Sequence, residues 1–388
     1  MRQAPTGKSD MDDATTTKAI VFGVLLRDAE EDWGGRNKLL LSLSRYGPVV
    51  LLERRQNGSR RPVSSIERLA ENLYVVRSAF ALRSSRIGRR MSRLAAAIDG
   101  IWFRRNLHSI GISDYVFWLS VADPVLALGV PSGGLVYDCV DPNFLPEGQR
   151  DFDDAEREVA TRSALTLSTA NTLHAKMKTY NPKSFLLPNA TSWDFHPRQT
   201  DTLPSPSELR GKLQPVVGYL GTVDWRFDAT VVLAAAQALP ECTFAIVGRV
   251  NDDQDDAVAP LRQLPNVVMP GQVDYHEGLS WVAAFDVGII PFTIGEMNDA
   301  INPVKMYMYL MAGLPVVATA TAECRGNTFV STATTPDEFA RLLRGSVATR
   351  PTPDRQQRIE FALHNTWDIR ADEAVTLLRS NGLYLTED

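Results

Sequence analysis

The sequence predicts an α/β protein, two doubly wound, Rossmann-like domains facing a cleft, and three observations carry that prediction. Short apolar runs rich in Val, Ile and Leu alternate with helical patterns of about 10–15 residues, as parallel sheets with crossover helices require. The 388 residues exceed what one hydrophobic core serves, so two domains of about 180 residues each are expected. Between the two strand-helix series lies a polar stretch, 188–212, with prolines at 188, 197, 204 and 206 and no sustained periodicity, which reads as a connection.

In chain order, strands of the first series are expected at 19–26, 49–53, 73–76, 115–120, 134–137, 165–168 and 184–187, each an apolar run too short for a helix. Helical periodicity fills the gaps at 36–45, 85–106, 122–128, 152–163 and 170–180. The second series places strands at 216–220, 243–247, 267–269, 287–291 and 315–318, with helices at 228–239, 257–264, 275–285, 304–312 and 336–345. Apolar periodicity from Arg355 to Leu378 predicts one or two helices closing the chain. The resulting division is a loose tail at 1–17, a first domain at 18–190, a linker at 191–213, a second domain at 214–350 and closing helices at 351–388.

Composition fits a globular chain, with 44% hydrophobic and 22% charged residues, and excludes disordered, collagen-like and coiled-coil classes. No run of 18 apolar residues occurs, and the first fifteen residues lack a basic start followed by an apolar stretch, so a cytoplasmic chain is expected. Cys139, Cys242 and Cys324 are odd in number and lack metal-ligand spacing, which predicts buried thiols and no metal site. Charge is uneven along the chain. Residues 1–190 hold 26 Lys+Arg against 21 Asp+Glu, and the remainder 15 against 25. Between Arg54 and Arg105, thirteen arginines oppose three acids.

The most informative stretch runs from Asp299 to Thr319. Pro303 suits the opening of a helix, Gly313 its exit, and Pro315 the start of a short buried strand. Lys305 falls in the opening turn, where it opposes the helix dipole unless an anion is delivered there. Upstream, the strand 216–220 ends in Gly221-Thr222, followed by Asp224-Trp225-Arg226, and the strand 243–247 ends in Gly248-Arg249. A glycine at such a point lets backbone N–H groups approach a phosphate, and the arginine can pair with it. As single features these are ordinary turns; their order along the chain gives them weight.

Taken together, Gly218-Tyr-Leu-Gly221, Ala245-Ile-Val-Gly248, Pro270-Gly-Gln-Val-Asp-Tyr275, Asp286-Val-Gly-Ile-Ile-Pro-Phe292 and the Lys305 helix resemble the donor-site segments of GT-B glycosyltransferases. The form is that of the TuaH-like, family 4-like group of teichuronic-acid and capsule enzymes. Val136-Tyr-Asp-Cys-Val-Asp141, the Glu156 helix, Leu165-Thr-Leu-Ser168 and Leu187-Pro-Asn189-Ala190 are similar to first-domain and linker segments of the same group, so the resemblance spans roughly residues 130 to 320. It implies a GT-B fold and a nucleoside diphosphate sugar, UDP-linked, in the second domain. Val273 and Tyr275 would flank the base, Lys305 with Met306 and the Gly221 loop the diphosphate, and Asn302 the phosphates or the sugar. The co-substrate is the nucleotide sugar, and no cofactor is expected. The group commonly has a glutamate where Met308 stands and often an acid where Ala300 stands. That departure is similar to xanthan-type glucuronosyltransferases, which are inverting and act on lipid-linked oligosaccharides.

Inversion needs a base for the acceptor hydroxyl. Asp138 and Asp141 follow the strand 134–137; Asp141, further into the loop, is the candidate base, and Asp138 is expected as a hydrogen-bond acceptor on the acceptor side. Trp33, Gly34 and Gly35 resemble the first-domain loop that approaches the acceptor. Arg83, Arg86, Arg89, Arg90 and Arg93 recur at spacings of three and four with Trp102 beyond, which fits a basic amphipathic helix on an anionic membrane rather than a nucleic-acid site. The expected protein is thus a glycosyltransferase at the inner membrane face. It would extend a lipid-linked saccharide for exopolysaccharide, capsule or cell-envelope glycan. A nucleotide-sugar epimerase of the same fold and a degenerate nucleotide-binding module are the alternatives.

Overall fold

The computed structural model describes residues 18–24, 36–53, 66–77, 101, 103–122, 134–142, 149–349 and 354–383. The first sheet comprises β1 (Ala19–Val24), β2 (Val49–Glu53), β3 (Ile66–Ala70), β4 (Leu73–Arg77), β5 (Tyr115–Leu119), β6 (Leu135–Cys139), β7 (Leu165–Ser168) and β8 (Ser184–Leu186). Their order is β3-β4-β2-β1-β5-β6-β7-β8, parallel throughout except that β3 pairs antiparallel with β4. The sequence patterns had not marked β3. Its Ile-Glu-Arg-Leu-Ala mixes charges into an edge position and leaves no residue fully buried.

The second sheet holds β9 (Val216–Leu220), β10 (Thr243–Val247), β11 (Val267–Gly271), β12 (Val287–Ile290), β13 (Val316–Thr319) and β14 (Val330–Ala333), all parallel, in the order β11-β10-β9-β12-β13-β14. The order reverses between β9 and β12, and ligands of open α/β sheets bind beyond the strand ends at such a point. β14, whose polar Ser331 and Thr332 lie exposed and half-buried between two buried residues, was another strand the apolar-run criterion missed.

Helices of seven residues or more with both ends described are α1 (Asn37–Leu43), α2 (Gln149–Arg162), α3 (Asn171–Tyr180), α4 (Ala229–Ala238), α5 (Asp255–Arg262), α6 (Tyr275–Ala284), α7 (Val304–Met311), α8 (Pro336–Ala348), α9 (Arg355–Leu363) and α10 (Trp367–Ser380). Of the helix expected at 85–106, residues 85–100 and 102 lie outside the described residues, and a helix runs over 103–109. The helix expected at 122–128 lies almost wholly outside them.

The closing periodicity forms two helices with different allegiances. α9 packs on α7 of the second domain, whereas Trp367, Ala371, Val375 and Leu378 of α10 join Ile20, Leu43 and Leu73 in the core of the first. The chain therefore passes between the domains twice, near 188–191 and 364–367, and the two passages are bonded to each other. Thr191 N–H donates to Asn365 O at 3.1 Å, Trp367 N–H to Thr191 O at 3.0 Å, and Arg370 Nε to Pro188 O at 3.2 Å.

Two motif glycines serve packing. A Cβ on Gly218 would lie 2.1 Å from the Phe285 ring, and one on Gly288 2.4 Å from the Tyr309 ring. Tyr309, so admitted to the sheet surface from α7, accepts the Leu220 N–H on its hydroxyl at 2.8 Å, which fixes α7 against the end of β9.

Candidate active site

A cleft of about 1260 Å³ lies between the domains. From the second domain it is walled by Gly221, Thr222 and Arg226 after β9, Gly248 and Arg249 after β10, Val273 and Tyr275 after β11, and Asn302, Lys305 and Met308 around the start of α7. From the first domain Arg36, Lys38 and Asp141 face it.

The two glycine loops pack on each other. Gly221 (φ +148°) and Gly248 (φ +141°) hold backbone that L side chains rarely adopt, and a Cβ on Gly248 would meet Gly221 O at 2.1 Å. Their N–H groups, expected to be open to a phosphate, are instead spent at the sheet edge: Gly221 N–H donates to Val247 O at 2.9 Å and Gly248 N–H to Gly271 O at 2.8 Å. The glycines thin the floor of the cleft rather than supply donors.

The positive charge comes from side chains. Lys305, half-buried in the first turn of α7, donates to Tyr219 Oη at 3.4 Å and sits 4.7 Å from the centroids of the Tyr219 and Phe292 rings. Burial, and then the neighbouring Arg226, bring its pKa down to about 7. No side chain caps α7, no acid stands in its first turn, and Pro303 occupies its N-cap. The positive end of the helix thus opens on the cleft with a lysine pointing the same way.

Arg226 is held by Asp224, a residue the sequence reading passed over. The Asp224 carboxylate accepts Nε at 3.0 Å, a second bond from Nη2, and the Arg226 backbone N–H at 3.0 Å. A side chain that caps its own turn two residues on is an Asx turn, and the Asp-x-Arg spacing was the available signal. The helix expected at 228–239 is α4, with Asp228 as its N-cap.

Asp141 faces the same space from the first domain. Its carboxyl opens to the cleft while protein surrounds its other sides, and that burial raises its pKa against the lowering pull of Arg226 and Arg36. Asp138 does not line the cleft. It is 1% exposed and accepts Arg36 Nε at 3.0 Å, Arg36 Nη2 at 2.8 Å and Trp118 Nε1 at 3.0 Å, a buried structural ion pair. Arg36 Nη1 continues to Asn189 Oδ1 at 3.2 Å.

Asn302 reaches the cleft wall, yet its amide is committed to joining the domains. Oδ1 accepts Asn189 N–H at 3.1 Å, Nδ2 donates to Glu323 Oε2 at 2.8 Å, and its carbonyl accepts Asn189 Nδ2 at 2.7 Å. Met306, expected at the donor, does not line the cleft. It is 2% exposed in the core of the second domain, on the face of α7 turned from the cleft, and Met308 faces the cleft instead. Tyr275 lies across the mouth: its hydroxyl donates to Asp194 Oδ2 at 2.7 Å, and Lys38 Nζ stands 4.6 Å from its ring centroid. Lys38 and Asp194 had not been singled out. Trp33, Gly34, Gly35, Arg83, Arg86, Arg89, Arg90, Arg93 and Trp102 lie outside the described residues.

Comparison with known proteins agrees with this geometry. Residues 214–347 match the family model described as Glycosyl transferases group 1. The chain is 28% identical over 199 residues to TuaH of Bacillus subtilis (strain 168), named as a teichuronic acid biosynthesis glycosyltransferase; the match takes in 48% of this chain and 50% of that one. The chain thus spans about half the length of that relative. Among solved structures, sucrose-phosphate synthase from Thermosynechococcus elongatus superposes with a TM-score of 0.66 at 16% identity, covering 94% of this chain and 98% of that one. Anabaena HepE in complex with UDP and glucose gives 0.65 at 15%, covering 94% and 100%. Residues 214–347 are a glycosyl transferases group 1 domain, set in a chain of GT-B fold.

Proposed function

We propose that this protein is a glycosyltransferase that moves a sugar from a nucleoside diphosphate sugar, UDP-linked, to an acceptor hydroxyl presented by the first domain. The observation that carries the reading is the pairing of Lys305 and Arg226 at an uncapped helix N-terminus, opposite Asp141, in one interdomain cleft. Two cations and a helix dipole are suited to the charge that grows on a departing diphosphate. A carboxylate of raised pKa that still faces solvent is suited to take the hydroxyl proton. The nucleoside lies towards Val273 and Tyr275, and the glycine floor lets the diphosphate approach β9 and β10. Inversion follows if Asp141 acts as base from the face opposite the leaving group.

The acceptor is a lipid-linked saccharide of an extracellular or envelope glycan, as the name of the TuaH relative favours. The excess of arginines between Arg54 and Arg105 favours docking on an anionic inner membrane. The test is a screen of nucleotide sugars with membrane lipid extracts as acceptors, reading released nucleoside diphosphate. Release that depends on both donor and lipid supports the reading; no release with any donor rejects it. Salt-sensitive co-sedimentation with anionic vesicles checks the membrane part separately.

A further inference from the structure

A second cavity of about 250 Å³ lies beside the cleft, and nothing in the reading so far uses it. Its position follows from which neighbours in sequence face which space. Asp141 faces the cleft and Pro142 the cavity; Ile301 faces the cleft and Ala300 the cavity. The partition between them is therefore two pairs of consecutive residues, one from each domain.

The walls come from both domains. Thr172 and Lys176 of α3 and Glu156 of α2 form one side, and Glu296, Asp299 and Ala300 the other. The domains are fastened around it. Thr172 Oγ1 donates to Asp299 O at 3.1 Å, and Asn171 gives its backbone N–H and Nδ2 to Glu323 Oε1 at 2.9 and 3.0 Å. Glu323 also accepts Asn302 Nδ2, and Asn302 is bonded to Asn189 where the chain passes between the domains, so the cavity and that passage share a clamp. Ala300 packs into the first-domain core, and its single methyl leaves the cavity open where a longer side chain would fill it.

We infer that this cavity is a subsite for one neutral, hydroxyl-bearing sugar ring of the acceptor, next to the loop that carries Asp141. This rests on the transferase reading above. Size favours a single ring, since the volume lies below the roughly 300–1,000 Å³ of sites for larger ligands. Glu296 can accept from ring hydroxyls and the Thr172 oxygen from one more, while Leu173 and Ala300 offer the ring an apolar face. Charge selects against an anion. Of the three carboxylates on the wall, Glu156 is paired with Lys176 at 2.6 Å, which also meets Asp153 at 3.1 Å, and Asp299 has Arg325 at 3.8 Å, so Glu296 carries the unmatched charge. A uronate or phosphate there would meet the Glu296 carboxylate, with both nearby cations already paired.

Saturation-transfer NMR with methyl glucoside and methyl glucuronide, on protein with and without UDP, tests this, with calorimetry of UDP alone as the control. Wild type is expected to bind the glucoside and to bind the glucuronide at least about tenfold more weakly. Ala300→Leu is expected to abolish glucoside binding and leave UDP affinity unchanged. Thr172→Val, expected to weaken the glucoside severalfold, serves if the leucine variant does not fold by circular dichroism. Glucoside binding that survives Ala300→Leu, equal binding of the glucuronide, or no binding of either sugar overturns the subsite. Wild type that binds the glucoside in the expected manner but not UDP would uphold the subsite and reject the donor reading.

Discussion

Lys305 shows how a single side chain can trade stability for function. Its pKa of about 7 in the folded protein lies below the ordinary lysine value, so folding is penalised wherever the ammonium is charged. The penalty is full below about pH 7 and fades as pH rises towards the unfolded value of about 10.4. Lys305→Met is therefore expected to raise stability by about 1–4 kcal/mol at pH 6, measured by urea unfolding, the gain shrinking above pH 7. The same change is expected to weaken nucleoside diphosphate binding about tenfold to a hundredfold. In the wild type the bound diphosphate favours the ammonium, so affinity should fall as pH rises above about 7 and binding should take up a proton. Calorimetry in buffers of different ionisation enthalpy reads that uptake. A pH-independent affinity between 6 and 9 would argue that Lys305 does not touch the anion. That this residue mattered was legible from its place in the opening turn after Pro303; that Tyr219 and Phe292 would enclose it was not, because those rings reach it from separate strands.

At the scale of elements, the loops after β9 and β10 depend on each other. Gly248→Ala puts a methyl into Gly221 O and imposes a positive φ on alanine, so both loops must shift. The expected result is a loss of about 1–3 kcal/mol in stability together with weakened nucleotide binding, read by thermal melts with and without UDP. Asp224→Asn tests the arginine mount. The guanidinium keeps its charge but loses its bidentate partner, so affinity should drop severalfold while the melting temperature changes little; unchanged affinity would show that Arg226 needs no positioning. Sequence patterns located β9 to β13 because each is an uninterrupted apolar run, and they missed β3 and β14 because half-buried edge strands carry polar residues. The resemblance put Met306 at the donor as well, since which face of α7 meets the cleft depends on Tyr309 and Leu310 packing inward.

For the whole molecule, the two domains share a core contribution that is remote in sequence. α10 completes the first domain although the second lies between them in the chain. Leu378→Ala, at 1% exposure, is expected to destabilise the first domain by about 2–5 kcal/mol, leaving UDP affinity of the folded protein unchanged. Equal loss of UDP binding would mean that the domains do not divide the labour in this way. The bundle of bonds joining Asn189, Thr191, Asn302, Glu323 and Asn365 makes the passage between domains a defined hinge rather than the aperiodic linker its prolines imply. Composition could not reveal this, because Asn189 and its partner Asn302 lie 113 residues apart. The account stands most directly on release of UDP from a UDP-sugar with acceptor present, compared between wild type and Asp141→Asn, with UDP binding measured on both. It predicts equal UDP affinity and release lowered by at least about a hundredfold in the variant; equal release from the two proteins would contradict it.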